Sequence, residues 1–263
     1  MCAIESYHAL RSARLREFLG EGMANIILIH GGCHGGWCWE RVVPLLAARG
    51  HTVLAPDLPG AAAEGPPLRD VTLADRTRFV AGLIAAQAEP VILVGHSMGG
   101  AVVSCAAETI PDRIAAVVFL AAFLLKDGEN MWQAAGRIPR APPELIISAD
   151  GKTNRIGAAS LEGMFYNTTP REWRDRALQK ITDESLAVAA SPVHLTQERF
   201  GRVARYYIET LRDKAVEPAL QRLMQRDWPC RKVLPLDCDH SAFYSMPAEL
   251  AGHLDGIAAD IAH

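Results

Sequence analysis

The feature that most narrows the fold of this chain is Gly95-His96-Ser97-Met98-Gly99, set between the apolar run Val91–Val94 and the helical pattern Met98–Thr109. A buried strand that becomes a helix with almost no loop forces the joining residue into a strained conformation, and flanking glycines give it room. A serine at that tip presents its hydroxyl outward, so Ser97 is a candidate nucleophile. The plainer alternative is a glycine-rich crossover turn with no chemistry.

The same strand-then-helix rhythm extends in both directions. Asn25–Ile29, His51–Ala55, Pro90–Val94, Ile114–Leu120, Val203–Ile208 and Lys232–Leu236 read as strands, several apolar throughout, as in a sheet covered on both faces. Helical patterns stand between them. Trp39–Arg49 stops at Gly50, Thr72-Leu73-Ala74-Asp75 is a capping-box variant that opens another, and Glu217–Arg226 and Pro247–Ile261 follow. The alternation predicts an α/β fold with a mostly parallel, doubly wound sheet.

The rhythm stops between Leu120 and Val203, an interval of roughly 80 residues that is too long for a structureless loop in a compact domain. It contains Pro139, Pro142, Pro143, Asn154 and Gly157, then the helical-looking Pro170–Ile181. We expect an inserted, mainly helical cap over 124–199, dividing the core into 23–123 and 200–263. Residues 1–22, with a short amphipathic stretch at Arg11–Leu19, read as an N-terminal extension, and Met23 is an alternative start.

Composition filters the partners. Lys plus Arg number 27 against 30 Asp plus Glu, with no basic block, which disfavours nucleic acid and membrane surfaces. Ile26–Ile29 and Ala115–Leu125 fall short of the ~20 apolar residues of a bilayer span. No apolar signal segment precedes Met23, and the cysteines at 2, 33, 38, 105, 230 and 238 form no disulfide framework, so a cytoplasmic protein is expected. Cys33, His34 and Cys38 lack a second pair at zinc-site spacing, so no metal is expected.

A serine hydroxyl is a weak nucleophile and needs a base, which in turn needs an orienting acid. Where the nucleophile sits on such a turn, the chain order is serine, acid, histidine. Among nine histidines, His240 follows a late strand and precedes the final helix, while His253 lies inside that helix and His263 ends the chain. The loop after Val203–Ile208 offers Asp213. Glu209 reads as the strand end, and Asp237 and Asp239 share the histidine's own loop. An oxyanion needs two backbone N–H donors, here Met98 and a residue of His30-Gly31-Gly32-Cys33-His34-Gly35-Gly36. That run lacks the lysine and ribose-binding acid of a nucleotide cradle, so no cofactor is expected.

These residues resemble the α/β-hydrolase superfamily, and within it the group of plant methyl esterases, hydroxynitrile lyases and small bacterial carboxylesterases such as pyrethroid hydrolases. The resemblance runs from about Asn25 to Ile261. Ile29-His30-Gly31-Gly32-Cys33-His34-Gly35-Gly36-Trp37-Cys38-Trp39 is similar to the group's first-strand motif, and Pro56-Asp57-Leu58 closes the next strand as it does there. Phe165-Tyr166-Asn167, Glu198-Arg199-Phe200-Gly201-Arg202-Val203 and Tyr207-Ile208-Glu209 are similar to the bacterial members' cap and return strand. The resemblance implies Gly32 and Met98 as oxyanion donors, Ser97 as nucleophile, Asp213 as acid and His240 as base. The lyase branch carries Thr and Lys where this chain has Gly31 and Ser241, so hydrolysis is favoured.

The expected function is that of a serine carboxylic-ester hydrolase working through an acyl-enzyme on a small, largely apolar ester. Phe123, Trp132, Phe165 and Phe243 are the candidate pocket residues, with ordinary core packing as the plainer reading. Hydroxynitrile cleavage and a non-catalytic ligand-binding protein are the alternatives. A small-molecule ester is the expected partner, with a homodimer allowed.

Overall fold

A computed structural model describes residues 23–61, 65–139 and 143–262. The expected N-terminal extension and its Arg11–Leu19 helix lie outside them. The first part runs β1 (Asn25–Ile29), a 3-10 turn (Gly36–Trp39), α1 (Val43–Ala47), β2 (Thr52–Leu54), α2 (Leu73–Ala85), β3 (Val91–His96), α3 (Gly99–Thr109) and β4 (Ile114–Leu120). The middle segment holds α4 (Met131–Ala135), β5 (Leu145–Ile147), β6 (Thr153–Ile156), α5 (Ala158–Phe165), α6 (Arg171–Leu178), β7 (Glu184–Ser185) and α7 (Leu186–Ala190). β8 (Arg205–Thr210), α8 (Pro218–Asp227), β9 (Lys232–Leu236), α9 (Ala242–Ser245) and α10 (Pro247–Ala262) complete it.

Six strands form one sheet in the order β2-β1-β3-β4-β8-β9, and each described pairing is parallel. Alternate residues point to opposite faces. Ile27, Ile29, Leu93, Val117 and Phe119 pack on one side with Val80 and Ile84 of α2 and Val102 and Val103 of α3. Ile26, Leu28, Ile92, Val94 and Val118 pack on the other with Leu46 of α1 and Leu250, Leu254 and Ile257 of α10. Helices thus cover both faces, which is why β3 and β4 read as unbroken apolar runs. Truncating one such residue, Leu93→Ala for example, costs about 2–5 kcal/mol through lost burial and the cavity left behind.

Local chemistry sets the helix starts. Thr72 accepts from the Asp75 amide, and the Asp75 carboxylate accepts from the Thr72 amide at 3.0 Å, which completes the expected capping box of α2. The expected helix at Trp39–Arg49 is divided into the 3-10 turn and the shorter α1. Pro44 stands in the first turn of α1, where its missing N–H has no intrahelical partner to lose. At the far edge, β9 carries exposed Lys232, Val233 and Pro235, and a charge and a proline there oppose addition of another strand.

The middle segment is a mixture of helix and strand where a mainly helical insertion is expected from the sequence. Four short helices are joined by a three-stranded antiparallel sheet, β5-β6-β7. These strands are brief, β6 is mostly polar and β5 leaves Ile146 and Ile147 exposed, so none carries the apolar signature of a core strand. Among the described residues no helix is long and apolar enough to cross a membrane.

The strand order places the site. The chain steps from β1 outward to β2, then back past β1 to β3, so the order reverses between β1 and β3. In open α/β sheets the crevice at the carboxyl ends of two such strands is where ligands bind. The His30–Gly36 loop leaves β1 there, and Ser97 leaves β3.

Candidate active site

Ser97 has φ 53°, in the left-handed region that non-glycine residues seldom occupy. Three hydrogen bonds hold the turn: the Ser97 amide donates to Leu120 O at 3.2 Å, and Ser97 O accepts from the Gly100 and Phe123 amides at 3.0 Å each. Backbone strain of this kind persists where the surroundings over-determine it. Gly99 explains the tight packing beyond it, since a Cβ there would stand 2.8 Å from His30 O and 3.0 Å from Ile29 O. The helix can approach β1 only without that carbon. Gly31 is equally confined, because its Cβ would stand 2.8 Å from Ser97 Cβ and 2.9 Å from His96 Nδ1.

Asp213 lies after β8 and is buried, as is His240 after β9. His240 Nδ1 bonds Asp213 Oδ2 at 2.8 Å. A carboxylate accepts, so Nδ1 carries the proton. His240 Nε2 is buried with no protein partner among the described residues. The other lone pairs of Asp213 are occupied: Oδ1 accepts from the Ala215 and Val216 amides at 2.7 and 2.9 Å, and Oδ2 also accepts from Thr210 Oγ1 at 2.9 Å. Gln221, one turn into α8, braces that loop by donating to Val216 O at 2.6 Å and Thr210 O at 3.2 Å.

The competing acids are engaged elsewhere. Glu209 belongs to β8 and pairs with Arg222 at 2.6 Å, and Asp237 pairs with Arg212 at the surface. Asp239 is fully buried and ties the histidine's loop to the middle segment. Its Oδ2 accepts from the Thr168 amide and Thr169 Oγ1 at 2.7 and 2.8 Å, and its Oδ1 accepts from Ser245 Oγ at 2.9 Å.

Three further buried histidines surround the candidate base. His96 bonds His240 O at 2.9 Å through Nε2, which therefore carries the proton. The His96 ring lies 4.5 Å from that of His240, and burial holds its pKa well below the ordinary value. His30 Nε2 accepts from the Leu58 amide at 3.0 Å, so its Nδ1 donates to Gly31 O at 2.8 Å; burial lowers its pKa to about 3. His34 Nδ1 donates to Gly32 O at 2.8 Å, so its Nε2 accepts from Tyr166 Oη at 2.7 Å; burial lowers its pKa to about 4. All three are thereby kept neutral and act as fixed hydrogen-bonding parts.

The amides of Gly32 and Met98 have no protein acceptor among the described residues. Phe165 of α5 packs 5.1 Å from His240 and 5.7 Å from His34, while Phe243 of α9 packs 5.1 Å from His96. Phe123 touches the group only through its backbone, its amide donating to Ser97 O, while its side chain packs against the core cluster of α2 and α3. Trp132 stands apart on α4, 42% exposed and without a ring contact to this group among the described residues. Sequence reasoning missed His34, His96, Tyr166, Thr210, Gln221 and the structural use of Asp239. The signals available were that His34, His96 and Tyr166 stand inside the motifs quoted above and that Gln221 falls on the first turn of the helix after the acid.

The structure joins His240 to Asp213 by a direct hydrogen bond and leaves His240 Nε2 unpaired, with no hydrogen bond to Ser97 Oγ among the described residues. Comparison with known proteins agrees with its architecture. The profile of the Alpha/beta hydrolase family matches residues 26–253. The chain is 36% identical over 240 residues to a pyrethroid hydrolase of Sphingobium wenxiniae, covering 87% of this chain and 85% of that one. It is 34% identical to salicylic acid-binding protein 2 of Nicotiana tabacum, covering 89% and 96%. The crystal structure of a pyrethroid hydrolase from Sphingobium faniae superposes with a TM-score of 0.79 at 32% identity, covering 90% of this chain and 97% of the other.

Proposed function

This chain belongs to the alpha/beta hydrolase family, and from that premise we propose that it is a serine carboxylic-ester hydrolase acting on a small, largely apolar ester through an acyl-enzyme. The observation that carries the reading is the buried 2.8 Å bond from His240 Nδ1 to Asp213, which leaves Nε2 unpaired. An imidazole so oriented is a base with one nitrogen spoken for and the other available.

In the proposed cycle Ser97 Oγ attacks the ester carbonyl while its proton passes to His240 Nε2. The new imidazolium is stabilised by Asp213, and the tetrahedral oxyanion takes N–H bonds from Gly32 and Met98. Collapse breaks the bond to the alcohol oxygen, which leaves with the proton from His240. Water then repeats the sequence on the acyl-serine and releases the acid. No metal or cofactor has a step in this scheme.

Phe165 and Phe243 supply the apolar side of the reading, and the name of the Sphingobium wenxiniae relative agrees with a hydrolase of such esters. Gly31 favours hydrolysis over lyase-type cleavage, since a threonine there would bring its Cβ against Ser97. We read 124–199 as a cap on a core of 23–123 and 200–263, supported by the reach of Phe165 and Tyr166 to the histidines. Five described cysteines are free thiols, which fits a reducing cytoplasm.

The test is turnover of p-nitrophenyl acetate and butyrate, with a fluorophosphonate probe mapped by mass spectrometry. Hydrolysis and a label on Ser97 are expected. Failure to hydrolyse any short acyl ester, or a label only on another residue, defeats the reading.

A further inference from the structure

The acyl-transfer scheme leaves one buried charged pair without a part. Arg76 of α2 and Glu184 of β7 meet at 2.9 Å, both out of solvent. Arg76 donates through Nε to Pro59 O at 3.2 Å and through Nη1 to Met98 Sδ at 3.2 Å. Glu184 Oε1 also accepts from the Ser185 amide at 2.7 Å, and Oε2 accepts from the Cys33 amide at 3.2 Å. On the other side of the same residue, the Thr182 amide donates to Cys33 O at 3.0 Å. Cys33 has φ 65°, so a strained non-glycine backbone is gripped from both ends by the middle segment.

These contacts converge on the two proposed oxyanion donors. A Cβ on Gly32 would lie 3.4 Å from Glu184 Oε2 and 3.7 Å from Met98 Sδ. The pair therefore touches the side chain of one donor residue and the peptide unit that follows the other. A buried ion pair gains little net stability over apolar residues of equal volume. It does give direction, because a guanidinium and a carboxylate hold their partners at fixed angles.

We propose that the Arg76–Glu184 pair is a positioning device for the oxyanion hole, Arg76 holding Met98 and Glu184 holding the Gly32–Cys33 peptide, so that the hole is complete only with β7 seated on the core. The proposal rests on the assignment of Gly32 and Met98 made above. Both groups act through other residues and touch no reacting atom. Seating of the middle segment and readiness of the hole then become one event, because the same carboxylate serves both.

Glu184→Gln separates this role from a merely structural one. The amide has a single acceptor oxygen for the Arg76 and Cys33 donors, so one of them loses its partner. The readout compares p-nitrophenyl butyrate with its thiono analogue, whose larger, weaker-accepting sulfur gains little from a hole shaped for oxygen. Glu184→Gln is expected to lower kcat on the oxoester roughly 10–100-fold with KM nearly unchanged, and to lower kcat on the thionoester less than about 3-fold. The double variant Arg76→Met/Glu184→Leu leaves no charge unpaired, and the same collapse of the oxo-to-thiono ratio is expected with the thermal midpoint held; it decides the matter should Glu184→Gln fail to fold. Equal losses on both esters, or an unchanged oxoester kcat, would reduce the pair to a structural tie and overturn the proposal. A wild-type protein that turns over neither ester and takes no label on Ser97 defeats the esterase reading, and the pair's role with it. An active, labelled wild type whose variants keep the ratio defeats the pair's role alone.

Discussion

Ser97, Asp213 and His240 stand just beyond the carboxyl ends of sheet strands, whereas Phe165, Tyr166 and Glu184 reach the same place from the segment between β4 and β8. The first set is placed by backbone: parallel ladders fix where each strand stops, and a residue or a short loop beyond that point carries the functional group. The second set is placed mainly by side chains, through a few hydrogen bonds and ring contacts, with one backbone bond from Thr182 to Cys33 O. A sheet buried on both faces resists movement, while a segment of four short helices and a three-residue-wide ladder has less to hold it. On the proposed reading the division suits a hydrolase: the bond-breaking groups would be the rigid set and the groups that select the ester the looser one.

If that contrast is sound, sheet-borne substitutions lower the rate on every ester, and segment-borne ones change it from ester to ester. The largest expected effect is Ser97→Ala, with kcat on p-nitrophenyl butyrate down by about 10⁵-fold or more and folding unaltered by circular dichroism. Asp213→Asn follows at about 10⁴-fold, because an amide donor facing Nδ1 favours the wrong imidazole tautomer; equal loss across an acyl-chain panel is the check. Activity persisting in either variant breaks the sheet half of the comparison.

A middle-sized effect is expected on stability. His30 and His34 bind a proton near 6.5 when unfolded but only near 3 and 4 when folded, both because of burial. The folded state therefore holds its full advantage above pH 6.5 and loses it as the pH falls toward 4, each histidine steepening the unfolding equilibrium about tenfold per pH unit. Urea midpoints at pH 7, 5.5 and 4.5 are expected to fall, and His34→Gln to flatten the decline. The smallest effect is Tyr166→Phe, which strips His34 Nε2 of its donor. Rates are expected to change less than about tenfold, and unequally among alcohol groups, since the hydroxyl bonds His34 and is not a member of the proposed proton relay. A uniform change across the panel would place Tyr166 with the sheet-borne set.

The same contrast decided what could be read in advance. β1, β3 and β4 announce themselves because all their residues but Asn25 and Ala115 are buried, and Ser97 because tight packing demands glycines at its sides. His240 and Asp213 follow from their places after late strands, Glu209 being excluded as a member of β8. Arg76 and Glu184 carried no such mark. One is a charge within an ordinary helical pattern and the other lies in a segment with no periodicity, and only three-dimensional proximity pairs them. The β5-β6-β7 sheet was equally silent, since two- to four-residue strands with exposed or polar side chains repeat no pattern long enough to detect.

The position of β9 at the sheet edge has a consequence for the growing polypeptide. β1 to β4, with the strained Ser97 turn, form an adjacent set that can pair while the rest of the chain is still being made. His240 arrives only with the last strand and the loop beyond it. On the proposed reading, a ribosome-bound chain that has already folded the Ser97 turn still lacks its base, and stays chemically silent until the edge strand docks.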